Sequence, residues 1–138
     1  MNVFRRHFLT EREREQIGAG LAEAQRCTRA PIGLIIEERS SLEPAARARS
    51  LFGRWELSEA ERPTAVLLYV RATPPAFAVT AGDEVWRLAP DGFWRTLERN
   101  LGHHFDDRRY CDAIFKAIAE IALQLERLFP PAGRTERG

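Results

Sequence analysis

Apolar positions along the chain alternate between helical and strand spacing. Behind Thr10 and Glu13, the T-x-x-E capping box, Ile17, Leu21, Ala24 and Thr28 recur three or four residues apart. This predicts a first helix from Glu11 to about Cys27. Gly18 and Gly20 lower its propensity and point to close packing on a sheet. "PIGLIIEE" then reads as a strand, and its near-continuous Ile32, Leu34, Ile35 and Ile36 predict burial on both faces. "SSLEPAARARSLFGRW" returns to helical spacing, with Pro44 early, Ala45, Ala48, Leu51 and Phe52 inward, and Gly53 as the stop. A second buried strand runs from Ala65 to Arg71, and "ATPPAF" reverses the chain into a third, "AFAVTAG". "PDGFWRTLERNLGHHF" carries Phe93, Leu97, Leu101 and Phe105 as a helical stripe. The last helix is the clearest element, with Cys111, Ile114, Ile118, Ile121, Leu125 and Leu128 inward, Asp106 or Asp107 as its cap, and Pro130-Pro131 as its end.

The order α-β-α-β-β-α-α has a topological consequence. The first two strands are separated by a helix, so they run parallel with a right-handed crossover. The third returns by a hairpin and is antiparallel. The expected fold class is α/β, a three-layer α/β/α sandwich with a small mixed central sheet, Rossmann-like in appearance. A length of 138 residues suits one domain, expected at 10–130, with a lead-in at 1–9 and a flexible tail at 131–138.

Composition narrows the function classes. Apolar residues make up 44% and charged residues 30%, and the net charge is 21 − 20 = +1. That balance gives no general attraction to nucleic acid or to an anionic membrane, and the arginines form no basic stripe. No segment approaches the roughly 18 apolar residues of a membrane span, and no signal-peptide pattern opens the chain, so the expected location is cytoplasmic. Cys27 and Cys111 sit at apolar helix positions and read as free core thiols.

Few residues offer chemistry. Asp83 and Glu84 follow Gly82 at the end of the third strand, as a metal-holding or water-activating pair or as a plain Gly-Asp turn. His103, His104, Asp106 and Asp107 are suitable zinc-type ligands, but no second ligand cluster is near in sequence, and a helix end with histidines at its negative pole is the simpler reading. Glu37-Glu38-Arg39 reads as a solvated charge run. Trp55, Trp86 and Trp94 could line a pocket or partner surface, with core packing favoured for Trp94. The chain contains no G-x-S-x-G, P-loop, H-E-x-x-H or G-x-G-x-x-G.

In order and spacing, "FLTERE", "AEAQRCT", "ARARSLFGRWELSEAERP", "VLLYVR", "AGDEVW", "PDGFW" and "ALQLERLFP" resemble the TPM domain (TPM phosphatase-like) family, in particular its short soluble bacterial members. The resemblance spans Phe8 to Pro130 and implies the α/β/α fold. It also implies two kinds of function: the acid phosphatase activity and photosystem repair assigned to plant thylakoid members, or a calcium-binding or membrane-associated module with no agreed reaction.

The family pieces fall at the starts of the first two strands and at the end of the third, which the topology brings to one sheet edge. Thr28–Pro31, Arg62–Ala65 and Gly82–Glu84 are therefore expected to converge. Short soluble relatives carry Thr-Ser-Gly-Glu-Ile where this chain has "TRAPI", so the glutamate falls on Pro31 and the glycine on Ala30. They carry Arg-Asn-Gly-Val where this chain has "RPTAV", which puts Pro63 and Thr64 at the asparagine and glycine. Thr28, Arg62, Gly82 and Asp83 are retained. The expectation is a non-catalytic module with a weakened family site, binding an ion or a protein or peptide partner. Its edge would be Thr28, Arg62 and Gly82, with Asp83 and Glu84 as ligands of a divalent cation such as calcium. The alternative is a metal-assisted phosphomonoester hydrolase centred on Asp83 and Arg62.

Overall fold

The computed structural model describes residues 8–133. The expected lead-in (1–9) and tail (131–138) lie largely outside them. The elements are α1 (Glu11–Arg26), β1 (Ile32–Glu37), α2 (Pro44–Arg54), a 3-10 turn (Arg62–Thr64), β2 (Val66–Arg71), β3 (Ala76–Ala81), α3 (Asp83–Leu88), α4 (Phe93–Asp106) and α5 (Tyr110–Leu128). The capping box forms as the sequence predicts: Thr10 Oγ1 accepts from Glu13 N at 3.0 Å, and Glu13 Oε1 accepts from Thr10 N at 2.9 Å.

The sheet order is β1-β2-β3, with β1 parallel to β2 and β3 antiparallel to it. Period-two alternation divides the side chains between two cores. Val66, Leu68, Val70, Ile32, Leu34, Phe77 and Val79 face the layer made by α1, α4 and α5. Tyr69, Ala78 and Ile35 face α2, which covers the opposite side with Ala48 and Leu51. The three-layer α/β/α sandwich is thus present, with unequal outer layers. β2 is the central strand and is buried almost throughout, whereas β1 is an edge strand with only Ile32 buried. The apolar run alone predicts the same burial for both, because it does not encode strand order.

Three local expectations are corrected. Gly20 makes room for another helix and not for the sheet: a Cβ there would meet the Phe115 ring of α5 at 3.0 Å, while Gly18 faces open space. Asp106 and Asp107 do not cap α5. They end α4, whose last turn closes with Arg108 N donating to Phe105 O (3.0 Å) and Arg109 N donating to His104 O (2.8 Å). With Arg108 at φ +61°, this is a Schellman closure carrying arginine where glycine is usual. Finally, the "GDE" segment is not a turn that leaves the strand. Gly82 caps α3, and Asp83 and Glu84 occupy its first turn.

Phe8 stacks on Tyr110 with ring centroids 4.3 Å apart, and Leu9 is buried in the main core. No helix among the described residues is long and apolar enough to cross a membrane.

Candidate functional site

The predicted convergence forms. Ile32, Val66 and Ala81 stand side by side at one end of the sheet. Backbone bonds tie the three segments there: Val66 N donates to Pro31 O at 3.0 Å, and Gly82 N donates to Ala65 O at 2.9 Å. The contact between the 3-10 turn and α3 is so close that a Cβ on Gly82 would stand 2.1 Å from Arg62 O and 2.5 Å from Pro63 O. Gly82 is thus required by the close approach of two backbones, at an ordinary φ of −73°.

Two of the other retained residues, Thr28 and Arg62, serve as internal struts. Thr28 is buried. Its hydroxyl donates into the carbonyls of Leu125 and Phe129 at the end of α5 and accepts from Ala30 N at 3.0 Å. Arg62 is half-buried. Its guanidinium donates to Phe52 O (2.8 Å) and to Trp55 O, and it lies over the Phe52 ring. It therefore neutralises the carbonyl pole where α2 ends. Thr64, at the glycine position, is buried and donates to Glu61 O at 2.9 Å.

Gln25 was not legible as a site residue, yet it holds the loop between α1 and β1. Its amide nitrogen donates to Ala30 O (2.8 Å), and its amide oxygen accepts from Ile32 N (2.9 Å). Another missed feature carries a sequence signal. Ser58-x-x-Glu61 is itself a capping-box pattern, and Ser58 N–Glu61 Oε1 (3.0 Å) and Glu61 N–Ser58 Oγ (3.1 Å) fold the turn that leads into Arg62.

These elements enclose a groove of about 400 Å³. Phe52, Leu57 and Pro63 form apolar walls, and Ser58, Glu59, Arg62 and Asp83 supply polar ones. Asp83 is exposed at its mouth. Glu84 is committed to Arg87, both carboxylate oxygens accepting from its Nη2 at 2.8 Å, and this pairing raises the arginine's pKa. No ion pair joins Asp83 to Arg62 among the described residues. Nor do three His, Cys, Asp or Glu side chains gather into a metal-holding group among them. Calcium takes six to eight oxygens. Asp83 with a paired Glu84 falls short of that, so the residues present do not fit a calcium centre.

The remaining candidates are dispersed. His103 and His104 lie in the last turn of α4, and His104 Nδ1 is 2.9 Å from Asn100 O. Glu37 is no solvated charge. Arg47 Nη2 donates to it at 2.6 Å and the buried Tyr69 hydroxyl at 2.8 Å, and these bonds, Arg47's foremost, hold its carboxyl below the usual range. Cys27 and Cys111 are free and half-buried. Burial, followed by the charges of Glu13 and Asp112, pushes the Cys111 thiol up, against a nucleophilic role. Trp55 covers Gly33, where a Cβ would stand 2.8 Å from its ring. Trp86 remains 48% exposed, packs at a tilt against Trp94 with ring centroids 4.8 Å apart and donates to Ala81 O.

Known structures share this fold. The solution structure of the BA42 protein from the psychrophilic bacterium Bizionia argentinensis superposes with a TM-score of 0.80 at 21% identity, covering 92% of this chain and 88% of that one. The N-terminal domain of a protein from P. gingivalis gives 0.69 at 14% identity, covering 88% and 79%. At these identities the likeness speaks for the fold alone. No curated protein matches the chain in sequence. The TPM domain model matches residues 3–124, and with the edge geometry above the conclusion is direct: the chain belongs to the TPM domain family.

Proposed function

We propose that this TPM domain is a non-catalytic binding module whose edge groove takes a segment of a protein or peptide partner. The observation that carries this reading is the engagement of Arg62. Two of its guanidinium N–H groups donate to the carbonyls of Phe52 and Trp55, which supports its reading as a strut for the end of α2 at the groove wall. A phosphomonoester hydrolase needs an electrophile opposite the nucleophile, either a metal held by several oxygens or a free cationic side chain. Among the described residues no group of three acidic, histidine or cysteine side chains gathers to hold a metal, and the groove's one lining cation, Arg62, is already tied to two carbonyls. The groove offers apolar walls with Glu59 and Asp83 beside them, a lining suited to a short segment with an apolar residue next to a basic one.

Two measurements test this. Purified protein is expected to leave a chromogenic phosphate ester unhydrolysed. Turnover that persists through purification and vanishes in Asp83→Ala would overturn the non-catalytic reading. Thermal melting with millimolar calcium is expected to show no rise in Tm. A rise abolished by Asp83→Ala would make the module an ion binder, because a ligand held only by the folded state stabilises it.

A further inference from the structure

The outer flank of β1 is open. β1 pairs with β2 on one side only, in an unbroken register from Ile32 to Glu37. Parallel strands bond through alternate residues. Val66 N donates to Pro31 O and Ala72 N to Glu37 O, so Gly33, Ile35 and Glu37 turn their backbone groups to β2, and Ile32, Leu34 and Ile36 turn theirs outward. Ile32 N is satisfied by Gln25 Oε1 at 2.9 Å. Leu34 N, Ile36 N and the carbonyls of Ile32, Leu34 and Ile36 have no hydrogen-bond partner among the described residues. Nothing on the strand guards this flank, because Ile32–Ile36 carries no charge, no proline and no bulge. The opposite flank of the sheet, on β3, is partly closed: the Trp86 indole donates to the outward carbonyl of Ala81.

We infer that this flank takes β1 of a second copy of this chain, antiparallel about a two-fold axis at Leu34, so that two sheets join into one. The free groups select the occupant. Unpaired N–H and C=O groups on every second residue are met by an extended backbone. With Leu34 opposite itself and Ile32 opposite Ile36, Leu34 N donates to Leu34 O and Ile36 N to Ile32 O, each bond made twice by the symmetry. The remaining outward donor, Ile32 N, is the one Gln25 already holds. The side chains agree with this register. On the side of α1 and α5, Leu34 meets its own counterpart and Ile32 meets Ile36. On the side of α2, Ile35 meets Gly33, over which the Trp55 ring lies. Every cross-strand pair from Ile32 to Ile36 is apolar, and no like charges face each other. Glu37, the first charge on the strand, is already bonded to Arg47 and Tyr69. A second copy thus carries the pattern that any other strand would have to match. β1 does not line the groove at the end of the sheet, so the inference stands or falls independently of that reading.

The test is a concentration series of the full chain, from about 20 μM to about 1 mM, followed by sedimentation equilibrium and amide-resolved NMR. The pairing is short, so a weak dimer with a Kd below about 1 mM is expected. Exchange of the Leu34 and Ile36 amides should slow about twofold or more across the series, while those of Gly33 and Ile35, bonded to β2 in either state, stay protected throughout. In a mixed sample of isotope-labelled and unlabelled copies, the α-protons of Gly33 and Ile35 should touch between copies, because they form the close pair beside the axis. Ile36→Pro removes an outward donor and leaves the β2 ladder whole, so it should weaken the dimer about tenfold or more. Should that variant fail to fold, the contact between copies decides. The inference is overturned by a chain that stays monomeric to about 1 mM, by a dimer whose shifts lie off β1, by a contact between copies in another register, or by a folded Ile36→Pro variant that dimerises like the parent. Dimers that form only after residues 1–7 are removed would make that segment the occupant and would equally overturn it.

Discussion

The Thr28 hydroxyl oxygen stands 3.1 Å from the carbonyl oxygen of Leu125, ninety-seven residues away in the chain. This contact fastens the start of the site edge to the end of the last helix. The same oxygen accepts from Ala30 N, so one side chain satisfies backbone groups on both sides of the junction. A position that reads as a family signature thus acts through the fold.

Replacing this hydroxyl with a methyl group should be costly. Thr28→Val keeps the shape but leaves Ala30 N without its acceptor in a buried setting and removes the tie to the Leu125 and Phe129 carbonyls, which keep Phe129 N and Arg29 N as donors, an expected loss of about 1–3 kcal/mol in urea unfolding. Thr28→Ser should recover most of it. A valine variant as stable as the parent would show that these bonds add nothing.

Gly82→Ala is expected to destabilise the protein by about 1–3 kcal/mol or more, because the atoms in the way are backbone and cannot swing aside. Amide exchange at Arg62, Thr64 and Ala65 should rise with it. Gly53→Ala is the control. Its added Cβ meets nothing within 4 Å inside α2, and a gain of roughly 0.5–1 kcal/mol is expected. Equal effects at the two sites would refute the close-approach account.

Arg108 holds φ +61° at the close of α4. An L residue with a Cβ is strained there and glycine is not, so Arg108→Gly should raise stability by about 0.5–1 kcal/mol. A lower thermal midpoint in that variant would show that the arginine side chain matters more than its backbone.

Stability should fall at both ends of the pH scale through one cluster. Arg47, then Tyr69, hold the Glu37 carboxyl below its ordinary value. Its stabilisation is therefore present above the unfolded pKa of ~4.3 and lost as pH falls through the lower folded value. Burial, then Glu37, pushes the Tyr69 phenol up. The fold favours the neutral phenol, so that contribution is present below the unfolded pKa of ~10 and lost as pH rises through the folded value. In urea midpoints measured from about pH 3 to 11, Glu37→Gln should flatten the acid limb and Tyr69→Phe the alkaline one. Unchanged limbs would exclude this cluster as the source.

Legibility in the sequence followed the range of the interaction. The Thr10–Glu13 box and the stripe Leu97, Leu101, Phe105 are set within a few residues, and both appear as written. Asp106 and Asp107 misled because an acidic pair between two helices fits a cap on the second as well as the end of the first, and the backbone turn at Arg108 decides between them. Glu37 misled for a different reason. Its partners, Arg47 and Tyr69, come from another helix and another strand.

The sequence by itself determined the order of every helix and strand but α3, the parallel and antiparallel pairings and hence which three segments meet at one edge, because period and connection rules are local and topological. Only the tertiary structure decided what those segments do there. Whether Arg62 faces a ligand or the carbonyls of Phe52 and Trp55, and whether Thr28 lines a groove or pins α5, depends on side-chain partners brought together by packing. A hydroxyl or a guanidinium carries the same chemistry in either role, and its environment selects which one it performs.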